Sequence, residues 1–545
     1  MNGRPTVFRA RRFLTLDSAM PQAEAVAVSD GRVLHSGTFA DVMSDLAGQD
    51  PQVDDSFIDS VVVPGFVEAH CHIFGEAALA SRPWVGSYDR RAVTGVVQTG
   101  CADVRAALAR VAEAHAALAD PNEILVCMGW DPSMAGGEAM TGEMLDSVSE
   151  SRPIFVFHTS LHIGVGNMAM MQRAGITRDT DVHGVMRHGD GEPNGELREN
   201  ALSLVMGNYI RIGGDESIRS AGTVARQAGC TTVTDLGFGA TTKSVKLHAN
   251  VVDDDAFESR VYYAPNVRVL NDRMKEETVG HIVALSRGGS DKFRMGPAKF
   301  VIDGSIQGRT ARMNWPGYCC GDPNGMWLFD NDELFELMLP YHRAGLQIAL
   351  HTNGDEAVDK GLDVFERLLT EHPRFDHRHR LEHAQLATEH AFRRMKALGM
   401  CVNLFANHVY YWGETHRNET AGPARARRLD ACGTALRLGV PFSIHCDAPV
   451  TPLDPLFTIW CAVNRITSAG LPLGETERIS AADALRAMTI DAAYLLKADG
   501  SIGSIESGKF ADFTVLSDDP TTCDPMGIKD LTVRATVLSG RVNEN

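Results

Sequence analysis

Apolar residues along this chain fall into short strand-length runs, and the spacing between the runs changes twice. Toward one end, "TVFRARRFLTL", "AEAVAVSDGRVLHSG" and "FIDSVVVPG" read as short strands joined by turns, with Asp30 and Gly31 at a hairpin position. Toward the other, "GSIESGKFADFTVLS" and "TVRATVLSGRVNEN" have the same texture. Chain ends commonly lie close together, so one small β-sandwich domain built from both termini, residues 1–63 plus 493–545, is expected. Between the ends, buried-strand runs alternate with helical patterns, as a parallel sheet with crossover helices requires.

Eight strand candidates stand out: one around His70, then 231–237, 259–265, 298–305, 347–355, 380–386, 400–408 and 440–449. They predict an α/β fold, a (β/α)8 TIM-type barrel over residues 64–492. Residues 76–225 are far too many for one crossover helix and contain a helical stretch, "ADVRAALARVAEAHAALAD", and strand-like runs, "EILVCMGWD" and "RPIFVFHTS". A large insertion after strand 1, forming part of a substrate pocket, is expected there.

Composition narrows the partners. At 545 residues the chain has room for several structural units or one enlarged barrel. With 70 acidic against 52 basic residues, a net charge of −18, it lacks the basic surface that a phosphate backbone demands, so no nucleic-acid partner is expected. No window offers the roughly 20 apolar residues that span a membrane, and "MNGRPTVFRARRFLTLDSAM" lacks the apolar core of a signal peptide. A cytoplasmic protein without membrane attachment is the expectation. The 11 cysteines form no C-x-x-C pair and read as reduced core thiols.

Candidate chemistry lies at the strand ends, where barrel enzymes place it. Those ends carry His70 and His72, Lys299 or Asp303, His351, His383 and Asp447. Residues i and i+2 of a strand share a face, so His70 and His72 can both point to the barrel mouth. Imidazoles with carboxylates suit zinc and its first-row neighbours. Singly each signal is weak: an H-x-H pair arises by accident, and Asp447 before Ala448-Pro449 also fits a turn. Their joint placement at the ends of strands one, five, six and eight is what points to a metal site.

These residues also resemble a known family. "VVVPGFVEAHCHIFG" is similar to the metal-binding signature of the amidohydrolase superfamily. "AKFVIDGSIQGRTA", "IALHTNGDEAVD", "RLEHAQL" and "PFSIHCDAPV" resemble, in order, motifs of its amidohydrolase-3 branch, which includes N-substituted formamide deformylases. "GWDPS", "LHIGVGNMAM", "RISAADALRAMTIDAAYLL" and "GSIESGKFADFTVLSDDP" extend the likeness over nearly the whole chain. The resemblance implies that His70, His72, His351, His383 and Asp447 are metal ligands. It further implies that Lys299, carboxylated in two-metal relatives, is a sixth. The expected cofactor is one or two divalent ions per chain, zinc first. Two positions depart from the pattern: Glu68 stands where Asp is commoner, lengthening a contact to a ligand histidine, and His445 precedes Asp447 where small residues are commoner.

The implied activity is hydrolysis of a non-peptide carbon–nitrogen bond in a small molecule: an amide, formamide or cyclic amide. Asp447 is the expected acid–base residue. Trp130, Asp131, His158, His162, Asp303, Arg309, Asn353 and His445 are candidates for substrate contact. Alternatives are deamination, lactone hydrolysis or decarboxylation at the same site, or a non-catalytic regulatory or binding protein. A homodimer is a family-level expectation.

Overall fold

The computed structural model describes residues 4–80, 82–92, 94–134, 137–206, 209, 214–329 and 331–545. Eight strand positions run parallel in the predicted order: Phe66–Val67, Cys230–Phe238, Arg260–Pro265, Phe293–Met295 with Ala298–Val301, Ile348–Thr352, Arg380–His383, Cys401–Leu404 and Phe442–Ile444. The fourth is split because Pro297 has no N–H for the ladder, and a parallel bridge between Asn266 and Lys299 joins the two arcs. Across the seam from the eighth strand to the first, His72 N donates to Ala448 O at 2.7 Å. The Glu68 carboxylate also accepts from Cys446 N at 3.2 Å there.

The later strands, "IALHT", "RLEH", "CVNL" and "FSI", are buried throughout. Parallel strands covered on both faces should be apolar, so polar residues within them mark what points into the barrel. Register puts His351, Glu382, Asn403 and Ser443 in one row across four strands. Strict alternation would turn His383 away from Glu382's face. Instead the chain breaks there, with φ of +66° at His383 and +45° at Ala384.

The insertion folds around its own five-stranded sheet, in the order Val185–Arg187, Pro193–Arg198, Ile163–Gly166, Ile154–His158, Leu125–Trp130. The expected helix forms at Val104–Ala117: Asp103 caps it through Ala106 N, and Val104, Ala107 and Val111 are its buried face.

Strands from both ends of the chain join in one seven-stranded sheet. Its order is Arg541–Glu544, Val533–Leu538, Phe513–Leu516, Gln52–Pro64, Thr6–Leu14, Gln22–Ser29, Arg32–Gly37. The ladder is continuous and curled, because the 13-residue strand Gln52–Pro64 pairs with Thr6–Leu14 on one side and Phe513–Leu516 on the other. The curl brings Val33 back to Lys509 O at 3.0 Å and encloses a core where Phe8 meets Phe57 and Phe513. Among the described residues no helix is long and apolar enough to cross a membrane.

Candidate metal centre

His70, buried after the first strand, is fixed by a residue 312 positions away: its Nδ1 lies 2.6 Å from the Glu382 carboxylate. Glu382 in turn accepts from Arg380 Nε at 2.5 Å and from Asn403 Nδ2 at 3.2 Å. Burial alone would raise the Glu382 carboxyl, but Arg380, His70 and Lys299 around it outweigh that and hold it far below the usual range. An ionised Glu382 keeps the proton on Nδ1 and turns the His70 Nε2 lone pair toward the barrel mouth.

That nitrogen faces Asp447 Oδ1 at 3.2 Å, and His72 Nε2 stands 3.5 Å from the same oxygen. A lone pair and a carboxylate oxygen at such a distance repel unless a proton or a cation lies between them. Among the described residues Oδ1 has no hydrogen-bond partner. The backbone of Asp447 is itself left-handed, with φ of +53°; such residues cost about 1–3 kcal/mol each and cluster at functional sites.

His383 and His445 complete the cluster. The His383 ring lies 4.6 Å from those of His70 and His351, with its Nδ1 buried and unpartnered. Burial holds His351, His383 and His445 neutral, well below the usual histidine range. His351 sits at the edge: its Nε2 meets Asn353 Nδ2 at 3.1 Å and Gly304 O at 3.3 Å. The Lys299 Nζ is buried without a partner, and burial, against the pull of Glu382 and Asp447, lowers it to about 8. Imidazoles and a carboxylate in two overlapping groups, His70 with His72 and Asp447 and His70 with His383 and His445, have the donor chemistry of a divalent transition-ion site.

The other candidates separate into groups. His162 comes in from the insertion, its ring 5.4 Å from that of His351, with Nδ1 held by Glu199 at 2.9 Å. Burial would lower its pKa, but Glu199, Asp447 and Asp303 raise it overall. Asp131 lies 3.4 Å from His158 Nε2 and accepts from Trp412 Nε1 at 2.8 Å, and the Trp412 ring lies tilted against that of His408, 4.5 Å away. Trp130, His158 and Arg309 line a cavity of about 270 Å³ between the insertion and the loop after strand four. Arg309 stays exposed at its rim, paired with Asp322 at 2.7 Å. Asp303 turns inward: its carboxylate accepts the N–H groups of Arg312, Asn353 and Gly354, each at 3.0 Å. It shapes the loops through these three bonds, and its Oδ1 lies 3.7 Å from His351 Nε2.

Glu68 corrects an expectation. It binds the backbone N–H groups of His70 and Cys446, each at 3.2 Å, rather than a ligand imidazole; burial pushes its carboxyl up to about 8. Cys71, as expected of a packing residue, is buried with its thiol on Thr234 O. Sequence reasoning missed Glu382, Arg380 and Glu199. The first two were signalled by opposite charges two apart in a strand that is otherwise core.

A family model described as the amidohydrolase family matches residues 59–543. Among curated proteins, Protein LONG AFTER FAR-RED 3 of Arabidopsis thaliana is 27% identical over 92% of this chain and 85% of its own length. The N-substituted formamide deformylase of Arthrobacter pascens is 27% identical over 96% of both chains. Among solved structures, an uncharacterized metal-dependent hydrolase of Pyrococcus horikoshii OT3 superposes with a TM-score of 0.75 at 19% identity, over 96% of this chain and 99% of that one.

Proposed function

Because this chain belongs to the amidohydrolase family, in its amidohydrolase-3 branch, we propose that it is a metal-dependent hydrolase of a carbon–nitrogen bond in a small amide, formamide or cyclic amide. The observation that carries this is the face-off of His70 Nε2 and His72 Nε2 with Asp447 Oδ1 at 3.2 and 3.5 Å, with Glu382 fixing the proton on the far side of His70. His70, His72, His383 and Asp447 would hold the ion, with His351 and Lys299 completing the set. Zinc is the ion these donors favour. As a carbamate, Lys299 would offer an anionic oxygen where an ammonium would repel a dication, and its low basicity suits the free amine that such a modification needs. A divalent ion held there lowers the pKa of water from about 15.7 to about 7 and polarises a carbonyl.

Asp447 does the proton work. It takes the proton of the attacking water as the carbon–oxygen bond forms, then delivers it to the substrate nitrogen as the carbon–nitrogen bond breaks and the amine leaves. The insertion supplies His162, held by Glu199, beside His351, and we assign the remainder of a small substrate to the cavity of about 270 Å³ lined by Trp130, His158 and Arg309, which the metal cluster itself does not line.

Metal analysis of the purified protein combined with an amine-release screen of N-formyl, N-acyl and cyclic amides tests the reading. The expected result is a stoichiometric transition metal and turnover that falls about 10²–10⁴-fold in Asp447→Asn. Turnover that survives in Asp447→Asn, or activity without bound metal, would sink it.

A further inference from the structure

His445 lies in the histidine cluster but outside the proposed ligand set, and its surroundings ask for a ligand. Its side chain is fully buried. Its ring stacks on His70 at 4.6 Å and 17° and on Phe405 at 4.8 Å and 27°, and lies 5.0 Å from that of His383. Yet among the described residues neither Nδ1 nor Nε2 has a hydrogen-bond partner. A neutral imidazole has one donor and one acceptor, and leaving either unmet in the interior is costly. Stacking alone could be served by a phenylalanine, which would carry no such cost.

The same ring places a nitrogen within 4.8 Å of donor nitrogens of His70 and His383, all three residues buried. The centre thus holds two overlapping cradles that share His70: a mixed one with His72 and Asp447, and an all-imidazole one with His383 and His445. We propose that His445 is a ligand of the bound ion, closing the all-imidazole cradle and biasing the centre toward zinc and its late first-row neighbours over oxygen-seeking ions. This rests on the metal-dependent reading above and adds a residue to it.

The test reads metal binding rather than turnover. His445→Phe keeps the stacked ring and removes both nitrogens. Against a chromophoric chelator, its zinc affinity should fall at least about tenfold, and the ligand-field absorption of the cobalt-loaded protein should shift. Unchanged affinity and an unchanged cobalt spectrum would overturn the assignment while leaving the hydrolase reading intact; a wild type that binds no ion would overturn both. Should the variant fail to fold, anomalous diffraction from zinc-loaded wild-type crystals decides. An ion about 2.0–2.1 Å from a His445 nitrogen supports the assignment, and an ion seated on His70, His72 and Asp447 with His445 beyond bonding distance refutes it.

Discussion

At the scale of single residues, the centre depends on a carboxylate that never reaches its mouth. Glu382 sets which nitrogen of His70 carries the proton, and it is itself kept ionised by Arg380. Glu382→Gln keeps the shape but removes the charge that favours Nδ1–H. Metal affinity in this variant is expected to fall about 10–100-fold, read by chelator competition; affinity within a factor of two of wild type would show that His70 needs no such support. That these histidines would gather at one place was legible because strand ends are where barrels put chemistry, and their type is plain in the sequence. What holds them was not, since the bond from Glu382 to His70 links strands one and six. Glu68 shows the same limit: a motif position suggested contact with an imidazole, whereas its side chain closes the barrel seam through two backbone amides.

At the scale of elements, eight apolar runs sufficed for the barrel, but their lengths misled where a run continued into a turn. The stretches 347–355 and 440–449 pair only over Ile348–Thr352 and Phe442–Ile444. Beneath those strands, away from the metal centre, a chain of neutral histidines ties the barrel floor together. His379 Nδ1 accepts the Ile348 N–H at 3.0 Å, so its proton sits on Nε2, 2.9 Å from His342 Nδ1. The proton of His342 then faces His372 O at 2.7 Å. Burial holds His342 and His379 below the usual histidine value, and protonating His379 would cost the Ile348 bond. A folded pKa below the unfolded 6.5 gives stability that is complete above about pH 6.5 and lost as pH falls toward the folded value. Metal-free wild type should therefore lose more unfolding free energy between pH 7.5 and 5.5 than His379→Gln does, measured by urea denaturation; equal losses in the two proteins would rule the histidine chain out as the cause.

At the scale of the whole molecule, the two ends of the chain could be read as one β unit, but not how that unit is fastened to the barrel. The fastening is a buried ion pair. Arg260, which opens the third barrel strand, donates to the two carboxylate oxygens of Asp512 at 2.7 and 3.1 Å, and its guanidinium lies 3.7 Å over the Phe510 ring. Asp512 also accepts from Ser539 N at 2.8 Å, so one carboxylate joins the barrel, the strand Phe513–Leu516 and the turn after Val533–Leu538. Both side chains are almost wholly buried. For such a pair, removing one partner strands the other charge, whereas replacing both with apolar residues removes the penalty along with the attraction. Arg260→Met is expected to destabilise the protein by about 3–5 kcal/mol. Arg260→Met with Asp512→Leu should recover part of that loss, less the bond to Ser539, in equilibrium denaturation at neutral pH. If the double variant is as unstable as the sum of the two single ones, the pair acts as independent hydrogen-bonding residues and the fastening lies in the packing around Phe510.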